Sequence, residues 1–277
     1  MGVVPLIGLN NGVRIPQLGF GVFQVPEDQV AGAVRTALEA GYRSIDTAAA
    51  YRNEAGVGDA LAASGIPRSE LFVTTKLWNS DQGYDSTLRA FDASMSKLRL
   101  DVLDLYLIHW PTPRRDLYVE SWKALEKLYA DGRVRAIGVS NFHTEHLQRL
   151  FDETSITPAV NQIELHPLLA QEDMRKVHVT HRIATEAWSP LARGGELLHD
   201  EAIRGLADKY AKTPAQIVLR WHIQIGNVVI PKSVTPYRVK ENIDVFDFEL
   251  ALDDMAVINE LNNGTRTGPD PDKFNSA

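Results

Sequence analysis

The chain of 277 residues contains no cysteine. Disulfide bonds, a thiolate nucleophile and cysteine-ligated metal sites are therefore excluded. No apolar run approaches the ~18 residues that a membrane-spanning helix requires. The first residues carry neither a basic start nor a small-residue cleavage site, the marks of a secretory signal peptide. We therefore expect a soluble, cytoplasmic protein.

Basic residues are also fewer than acidic residues. The chain has 29 basic and 36 acidic residues and a formal net charge of −7. A general affinity for nucleic acid or for anionic membranes is not expected from such a balance. The 44% of apolar residues is ordinary for a globular protein. Because chains of about 250 residues commonly form one barrel domain, we expect a single domain over residues 1–277.

Short apolar runs alternate with amphipathic segments along most of the chain. Before them, Leu6–Leu9 and Val13–Ile15 flank an Asn-Gly turn, which predicts a β-hairpin. Eight apolar runs are predicted strands: Gly19–Val22, Tyr42–Asp46, Leu71–Lys76, Val102–His109, Ala136–Ser140, Val160–Leu165, Ile183–Trp188 and Val228–Ile230. Regular alternation of strand and helix favours a parallel sheet, and eight such units close into a barrel. The prediction is an α/β fold, a (β/α)8 TIM barrel with an N-terminal β-hairpin and two extra helices.

Two threonines are predicted to begin helices. Thr144 precedes an amphipathic segment and is a candidate N-cap. Thr213 is followed by Pro214, and proline is favoured in the first turn of a helix. Residues after Asn263 are rich in glycine, proline and aspartate, so we expect a loop over one face of the barrel.

Polar residues stand at the ends of successive predicted strands. Asp46, Lys76 and His109 end the second, third and fourth strands, and Ser140-Asn141 ends the fifth. Active sites of such barrels lie at the carboxyl ends of the strands. One polar residue there is uninformative, and each of these has a structural interpretation as a cap, a surface group or a buried histidine. A series of them is hard to explain by stability, because each removes apolar burial and needs a partner.

The residue types predict a proton donor. Tyr51 follows Asp46 by five positions, in a loop that reaches over the same face. A neighbouring lysine stabilises a phenolate and is expected to lower the tyrosine pKa from about 10. His109 is placed to orient a substrate oxygen. Such a tyrosine suits protonation of a developing alkoxide, as in carbonyl reduction. No natural side chain supplies hydride, so a nicotinamide cofactor is required.

The usual dinucleotide fingerprint, Gly-x-Gly-x-x-Gly after a strand, is missing. Barrels often hold phosphates in the loops after strands seven and eight. Lys232 in the last of these loops and Arg238 in the predicted helix that follows favour a 2′-phosphate, and so NADPH over NADH. Trp188 offers an aromatic face for stacking. The preference for NADPH depends on the two basic residues, which could also be solvated surface charges.

The chain resembles the aldo-keto reductase family over essentially its whole length, and seven segments carry the resemblance. They are residues 41–48, Tyr51 with Asn53-Glu54, and residues 75–78, 103–111, 137–142, 161–167 and 230–233. Within the family, bacterial 2,5-diketo-D-gluconate reductases are most similar, through residues 213–216, 219–222 and 242–248.

The resemblance implies site residues. It implies catalytic roles for Asp46, Tyr51, Lys76 and His109. It implies cofactor binding by Ser140, Asn141, Gln162, Trp188, Ser189, Leu191, Gly194, Lys232, Ser233, Val234, Arg238, Glu241 and Asn242. It implies a substrate pocket walled by Phe23, Trp78, His109 and Trp110. Trp188 stands where the family usually has tyrosine, although the diketogluconate reductases can carry tryptophan. The resemblance also implies a monomer that takes a small carbonyl substrate.

Some residues of the chain also suggest other functions. His143-x-x-His146 and His178-x-x-His181 suggest a metal, but both pairs fall in helices outside the barrel and neither has the H-E-x-x-H form, so no metal is expected. A metal-dependent hydrolase would need more ligands at the strand ends than Asp46 and His109. A regulatory subunit that binds the cofactor with little turnover is the alternative to a reductase. The substrate itself stays open, with diketogluconate and small dicarbonyls such as methylglyoxal equally compatible.

Overall fold

A computed structural model describes residues 3–276, so Met1, Gly2 and Ala277 of the predicted domain lie outside it. The chain begins with strands β1 (Leu6–Gly8) and β2 (Arg14–Pro16), which pair antiparallel with Ile7 opposite Ile15. Gly12, in the turn between them, has φ +85°, a conformation that glycine adopts without steric cost. The predicted hairpin is confirmed, with its first strand ending one residue early.

Eight further strands form one parallel sheet in chain order. They are β3 (Phe20–Gly21), β4 (Ser44–Asp46), β5 (Phe72–Leu77), β6 (Leu103–Ile108), β7 (Val134–Ser140), β8 (Val160–Glu164), β9 (Ala184–Trp188) and β10 (Val228–Val229). A parallel bridge between Leu18 and Val229 joins the two edges. The amide of Gly19 donates to the Val229 carbonyl at 2.9 Å. The sheet therefore closes on itself, and the predicted eight-stranded α/β barrel is confirmed.

Ten helices accompany the strands in the described residues. They are α1 (Glu27–Glu39), α2 (Glu54–Ala63), α3 (Tyr84–Leu98), α4 (Tyr118–Ala130), α5 (Thr144–Glu153), α6 (Glu172–His181), α7 (Glu201–Tyr210), α8 (Pro214–Gln224), α9 (Pro236–Ile243) and α10 (Leu252–Asn259). Eight follow the barrel strands, while α7 precedes α8 in the same connection and α10 follows the last unit. The two extra helices are thus present. None of the helices in residues 3–276 is long and apolar enough to cross a membrane.

The N-caps of α5 and α8 can be compared with those predicted from the sequence. Thr213 caps α8 through its hydroxyl, which accepts from the Gln216 amide at 3.3 Å, and Pro214 occupies the first position, as predicted. The cap of α5 is His143, and Thr144 is the first helical residue. The Thr144 prediction was wrong because the amide of His143 is satisfied by the side chain of His146 at 3.0 Å, an unusual partner for a cap.

The interior of the barrel differs between its two ends. At the amino-terminal end, Ile15 and Leu9 of the hairpin region join an apolar cluster inside the strands. The other members of this cluster are Phe72, Leu105, Leu107, Ala136, Ala159, Val160 and Val228. A larger apolar layer lies between strands and helices, with Trp122 and Trp221 fully buried in it. The hairpin therefore closes one end of the barrel, and polar side chains are left to the other.

Candidate active site

A buried ion pair lies at the carboxyl ends of β4 and β5. The Lys76 ammonium donates to Asp46 Oδ1 at 2.6 Å and to the Thr47 carbonyl at 2.9 Å. Both residues are almost fully buried. Burial by itself lowers the pKa of Lys76, but the charges of Asp46 and Tyr51 and the hydrogen bond to Asp46 together outweigh it, so the pKa of Lys76 is raised above its ordinary value. The lysine is therefore held as an ammonium below the cavity floor.

Tyr51 ends a short 3-10 turn, Ala49–Tyr51, that follows β4. Its ring centroid lies 5.1 Å from Lys76 Nζ. Burial raises the pKa of Tyr51, the Lys76 charge lowers it, and the Asp46 charge raises it again. The net pKa of Tyr51 is raised, so the expected net lowering was wrong. Lys76 acts in the predicted direction, but its effect is smaller than the cost of ionising a buried phenol.

His109, directly after β6, faces Tyr51 across the site. Its ring packs edge-on against Tyr51 at 5.7 Å and against Trp78 at 5.3 Å between centroids. Burial, helped by the charge of Lys76, lowers the pKa of His109 well below its ordinary value. Its Nδ1 is buried, and no group in residues 3–276 bonds to it. The ring is therefore neutral and carries one N–H for a ligand oxygen.

Gln162 on β8 links two carboxyl groups in the centre of the barrel. Its Nε2 lies 2.8 Å from Asp46 Oδ2 and 2.9 Å from Glu186 Oε2. Burial and then the charge of Asp46 raise the pKa of Glu186 to about 8. Glu186 was missed in the sequence because it lies two residues inside a predicted strand, where an acidic residue has no recognisable motif. Its position next to Gln162 follows from the register of β8 and β9.

Ser140, Asn141 and Trp188 form a connected group on the neighbouring strands. The Ser140 hydroxyl donates to the Gln162 carbonyl at 2.8 Å. The Asn141 amide donates to the His109 carbonyl at 2.9 Å, and its Oδ1 accepts from Trp188 Nε1 at 2.8 Å. Asn141 adopts φ +64°, which asparagine tolerates better than most residues. These bonds hold the amide and the indole in fixed orientations on the cavity wall.

A cavity of about 1370 Å³ extends from Tyr51 to the loops after β9 and β10. Its far end carries four basic residues, Arg193, Arg204, Lys232 and Arg238, and none of the acidic groups in the described chain lies within ion-pair distance of them. In a protein of net charge −7, unpaired cations on a cavity wall favour an anionic ligand. Arg193 and Arg204 were not predicted, since an isolated basic residue, in a loop for Arg193 and on α7 for Arg204, carries no pattern.

Most predicted site residues line this cavity. Among the four predicted catalytic residues, Lys76 lies beneath the lining and the others contribute to it. Val234 does not line it and is half-exposed, since the loop turns its neighbours Lys232 and Ser233 inward. The remaining predicted residues on the lining are Phe23, Trp78, Trp110, Ser140, Asn141, Gln162, Trp188, Ser189, Leu191, Gly194, Arg238, Glu241 and Asn242.

The segment after Asn263 covers the aromatic end of the cavity, as expected for a loop over one face. Buried Glu164 anchors it: Oε1 accepts from the Thr267 amide at 2.5 Å and hydroxyl at 2.6 Å, and Oε2 accepts from the Gly268 amide at 3.0 Å. Burial raises the pKa of Glu164, but bonds to His166 and Thr267 outweigh it and lower the pKa to about 2. These contacts give Glu164 a structural role as the anchor of the segment.

The same segment contributes an aromatic side chain to the wall of the cavity. The Phe274 ring lies 4.5 Å from that of Trp110 between centroids, and both line the cavity beside Pro269. A Cβ on Gly268 would stand 2.4 Å from the Trp188 ring, so the backbone must be glycine to pass there. The loop was predicted from the sequence, but the roles of Pro269 and Phe274 in the cavity wall were not, because the composition of a loop does not show which residues point inward.

The histidine pairs have structural partners. His143 Nδ1 lies 2.8 Å from Asp272 Oδ1, which together with Asp270 forms a group with metal-ligand spacing. The neighbouring His146 accepts a backbone N–H at Nδ1, so its neutral ring carries the proton on Nε2 and offers no lone pair there. His178 lies on α6 outside the barrel as predicted, but its ring is fully buried against Asn161 and Thr185.

Comparison with known proteins gives consistent results. Residues 17–263 match the profile of the Aldo/keto reductase family. An aldo-keto reductase of Mycolicibacterium smegmatis is 59% identical over 271 residues, which is 98% of each chain. The methylglyoxal reductase DkgA of Escherichia coli K12 is 55% identical over 270 residues, or 97% of this chain and 98% of the relative. A mutant of Gox0644 solved in complex with NADPH superposes with a TM-score of 0.95 at 50% identity, over 99% of each chain.

Proposed function

Because the chain belongs to the aldo/keto reductase family, we propose that it reduces a small carbonyl compound with NADPH and that Tyr51 donates the proton. The observation that carries the proposal is the Tyr51 ring lying 5.1 Å from a buried ammonium, opposite a neutral histidine on the cavity wall. The relatives named as methylglyoxal reductases, and the one solved with NADPH, support the reaction class.

The cavity fits the cofactor at both ends. Lys232 and Arg238, without acidic partners in residues 3–276, suit the 2′-phosphate of NADPH. Ser140, Asn141 and Gln162 suit a carboxamide at the other end. The remaining cofactor residues that we propose line the path between them: Trp188, Ser189, Leu191, Gly194, Ser233, Glu241 and Asn242. When bound, the nicotinamide supplies the hydride that no side chain can donate.

Each catalytic side chain has a defined task in this proposal. Tyr51 gives its proton to the carbonyl oxygen as negative charge develops there. Lys76 stabilises the resulting phenolate, and Asp46 keeps Lys76 charged and in place through the 2.6 Å bond. His109, neutral at physiological pH, donates an N–H to the same oxygen and orients it.

The substrate end favours a compact carbonyl compound. Aromatic side chains surround Tyr51 and His109, namely Phe23, Trp78, Trp110 and Phe274. Apolar walls leave few groups that could bind a large polar substrate, so orientation depends on the two hydrogen bonds at the carbonyl oxygen. We propose methylglyoxal as the substrate to test first, since several relatives carry that activity in their names. 2,5-Diketo-D-gluconate is the second candidate.

The test uses Tyr51→Phe, which removes only the hydroxyl. We expect kcat/KM for methylglyoxal with NADPH to fall by about 10²- to 10⁴-fold, the range for loss of a general acid. The dissociation constant of NADPH, measured by calorimetry, is expected to stay unchanged. Full turnover in the variant would show that another group donates the proton. Slow turnover in the wild type on every carbonyl tested, with tight NADPH binding, would favour a regulatory subunit.

A further inference from the structure

Glu186 is a buried carboxyl group to which the proposed mechanism gives no task. It lies on β9 with only 1% of its surface exposed. In the sheet register it stands beside Gln162 on β8 and Val228 on β10. A carboxyl group in such a place costs folding free energy when it ionises, because the barrel interior solvates charge poorly. Its presence therefore calls for a reason other than stability.

The charges around Glu186 do not balance. The titratable groups that face it are Asp46 on β4, Lys76 on β5 and Tyr51 in the turn after β4. Lys76 is the single cation among them, and it already pairs with Asp46 at 2.6 Å. Glu186 lies within hydrogen-bond distance of an uncharged amide instead. One cation cannot neutralise two carboxylates, so the protonated form of Glu186 is favoured.

The two carboxyl groups also determine which way the Gln162 amide points. Asp46, paired with an ammonium, can only accept hydrogen bonds, so the amide nitrogen must face it. Both N–H groups of Gln162 are then used, one for Asp46 and one for Glu186. The amide oxygen is the remaining polar atom of this side chain on the cavity lining, and no donor in residues 3–276 bonds to it. An oxygen in that place accepts an N–H from a ligand amide.

We propose that Glu186 is a positioning residue and a charge switch for the nicotinamide pocket: it orients Gln162 toward the carboxamide, and its ionisation favours the oxidised, cationic nicotinamide ring over the reduced one. The inference rests on the proposed function, since it takes Gln162 as a partner of the carboxamide. The pKa of Glu186 is raised to about 8, chiefly by burial, so the change of charge falls in the neutral to alkaline range.

The direction of the effect follows from the charges. Below the pKa, Glu186 is neutral and the pocket distinguishes the two redox forms without it. Above the pKa, the carboxylate attracts the positive ring of NADP⁺ and has no such attraction for NADPH. The same charge raises the pKa of Tyr51 further, which makes it a weaker proton donor. Alkaline pH is therefore expected to favour alcohol oxidation over carbonyl reduction in this protein beyond the effect of the proton concentration.

The experiment compares the wild type with Glu186→Gln by calorimetric titration of NADPH and of NADP⁺ between pH 6 and pH 9. The ratio of the two dissociation constants removes the titration of the 2′-phosphate, which both ligands share. In the wild type, the ratio is expected to shift toward NADP⁺ by about three- to tenfold over this range, the size of one screened charge at several ångströms. In Glu186→Gln, which has the same shape and does not ionise, we expect no shift.

Two further variants separate positioning from charge. Glu186→Leu removes the acceptor for Gln162, so we expect both ligands to bind about tenfold more weakly at pH 6, where Glu186→Gln binds like the wild type. Asp104→Asn, a buried carboxyl at the opposite end of the barrel, controls for general destabilisation and should keep the wild-type shift.

A pH shift that persists in Glu186→Gln would overturn the charge switch. Unchanged binding in Glu186→Leu would overturn the positioning role. If the wild type bound neither nucleotide, the proposed function itself would fail, an outcome that differs from both.

Discussion

Two buried acidic residues of the barrel, Asp104 and Glu186, have opposite surroundings. At the amino-terminal end, Asp104 accepts bonds from Arg68 at 2.5 Å, Arg135 at 2.7 Å and the Val73 amide at 2.8 Å. In the centre of the barrel, beside the site, Glu186 lies fully buried with an uncharged amide as its partner and without a cation of its own. The first arrangement holds a carboxylate in its charged form, and the second favours the neutral acid. In (β/α)8 barrels the amino-terminal end serves stability and the carboxyl end serves function, and the two acids follow that division.

Basic groups without an acidic partner also lie on the functional side. Lys232 and Arg238 line the cavity, and no acid in residues 3–276 is within ion-pair distance of either. Each is neutral or destabilising in the empty protein and is available to an anionic ligand. The carboxyl end is therefore organised for a ligand. Substitutions at the two ends test this difference.

The largest effect is expected for Lys232→Ala combined with Arg238→Ala. Loss of two charge-assisted bonds, each about 1.5–3 kcal/mol, should raise the dissociation constant of NADPH by about a hundredfold or more. NADH, which lacks the 2′-phosphate, should bind as it does to the wild type. Fluorescence titration of both nucleotides measures the difference. Equal weakening of both would place the 2′-phosphate elsewhere in the cavity.

The next substitution is Asp104→Ala at the amino-terminal end of the barrel, the end that serves stability. It leaves the buried Val73 amide without its acceptor, so we expect a loss of about 2–3 kcal/mol in the free energy of unfolding and a fall of roughly 5–10 °C in the melting temperature. The dissociation constant of NADPH should not change. Asp59→Ala, which breaks an exposed pair with Arg99, is the matched control and is expected to have almost no effect. A loss of activity in Asp104→Ala at temperatures where it is folded would contradict the division of the two ends.

An effect that depends on pH is expected for the stability of Glu186→Gln. The pKa of Glu186 is raised from 4.5 to about 8 on folding, so the folded protein retains a proton that the unfolded chain releases. The wild type is therefore destabilised progressively as pH rises from 4.5 to 8. The melting temperature of Glu186→Gln should exceed that of the wild type by an amount that grows between pH 5 and pH 9. A constant difference across this range would mean that Glu186 does not hold its proton in the folded state.

The smallest effect is expected for Phe274→Ala in the C-terminal segment. Removing the ring that packs on Trp110 opens one wall of the cavity. We expect KM for methylglyoxal to rise severalfold, equivalent to about 1 kcal/mol, the value of an aromatic contact. The kcat value and NADPH binding should stay near those of the wild type, because the ring contacts Trp110 and carries no group that transfers a proton or binds a phosphate. Lys273→Ala, on the exposed side of the same segment, serves as the control. A large fall in kcat would assign Phe274 a part in closing the site over the reacting groups.

The sequence sufficed for the barrel and for most of the site, because both follow from local patterns. Strand and helix periodicities repeat eight times, and polar residues at strand ends must meet at one end of a parallel barrel. Thr213 with Pro214 began a helix as expected, whereas Thr144 did not cap α5, since a histidine side chain provided the bond instead. Both helices begin with a capping box, and only the one built from threonine and glutamine has the usual sequence signal.

Two features could be found only from the folded chain. The pKa of Tyr51 is raised in the structure, because burial outweighs the neighbouring ammonium, and burial depends on how the whole barrel packs. Glu186 belongs to no sequence motif. Its role can be inferred only from the strand register, which places it beside Gln162.

By itself, then, the sequence determined the fold and the types of side chain at its carboxyl end, since hydrophobic periodicity and strand order are local properties. The tertiary structure decided which charges are paired, which stay buried without a partner, and that Phe274 lines the cavity, because these depend on distances between residues far apart in the chain.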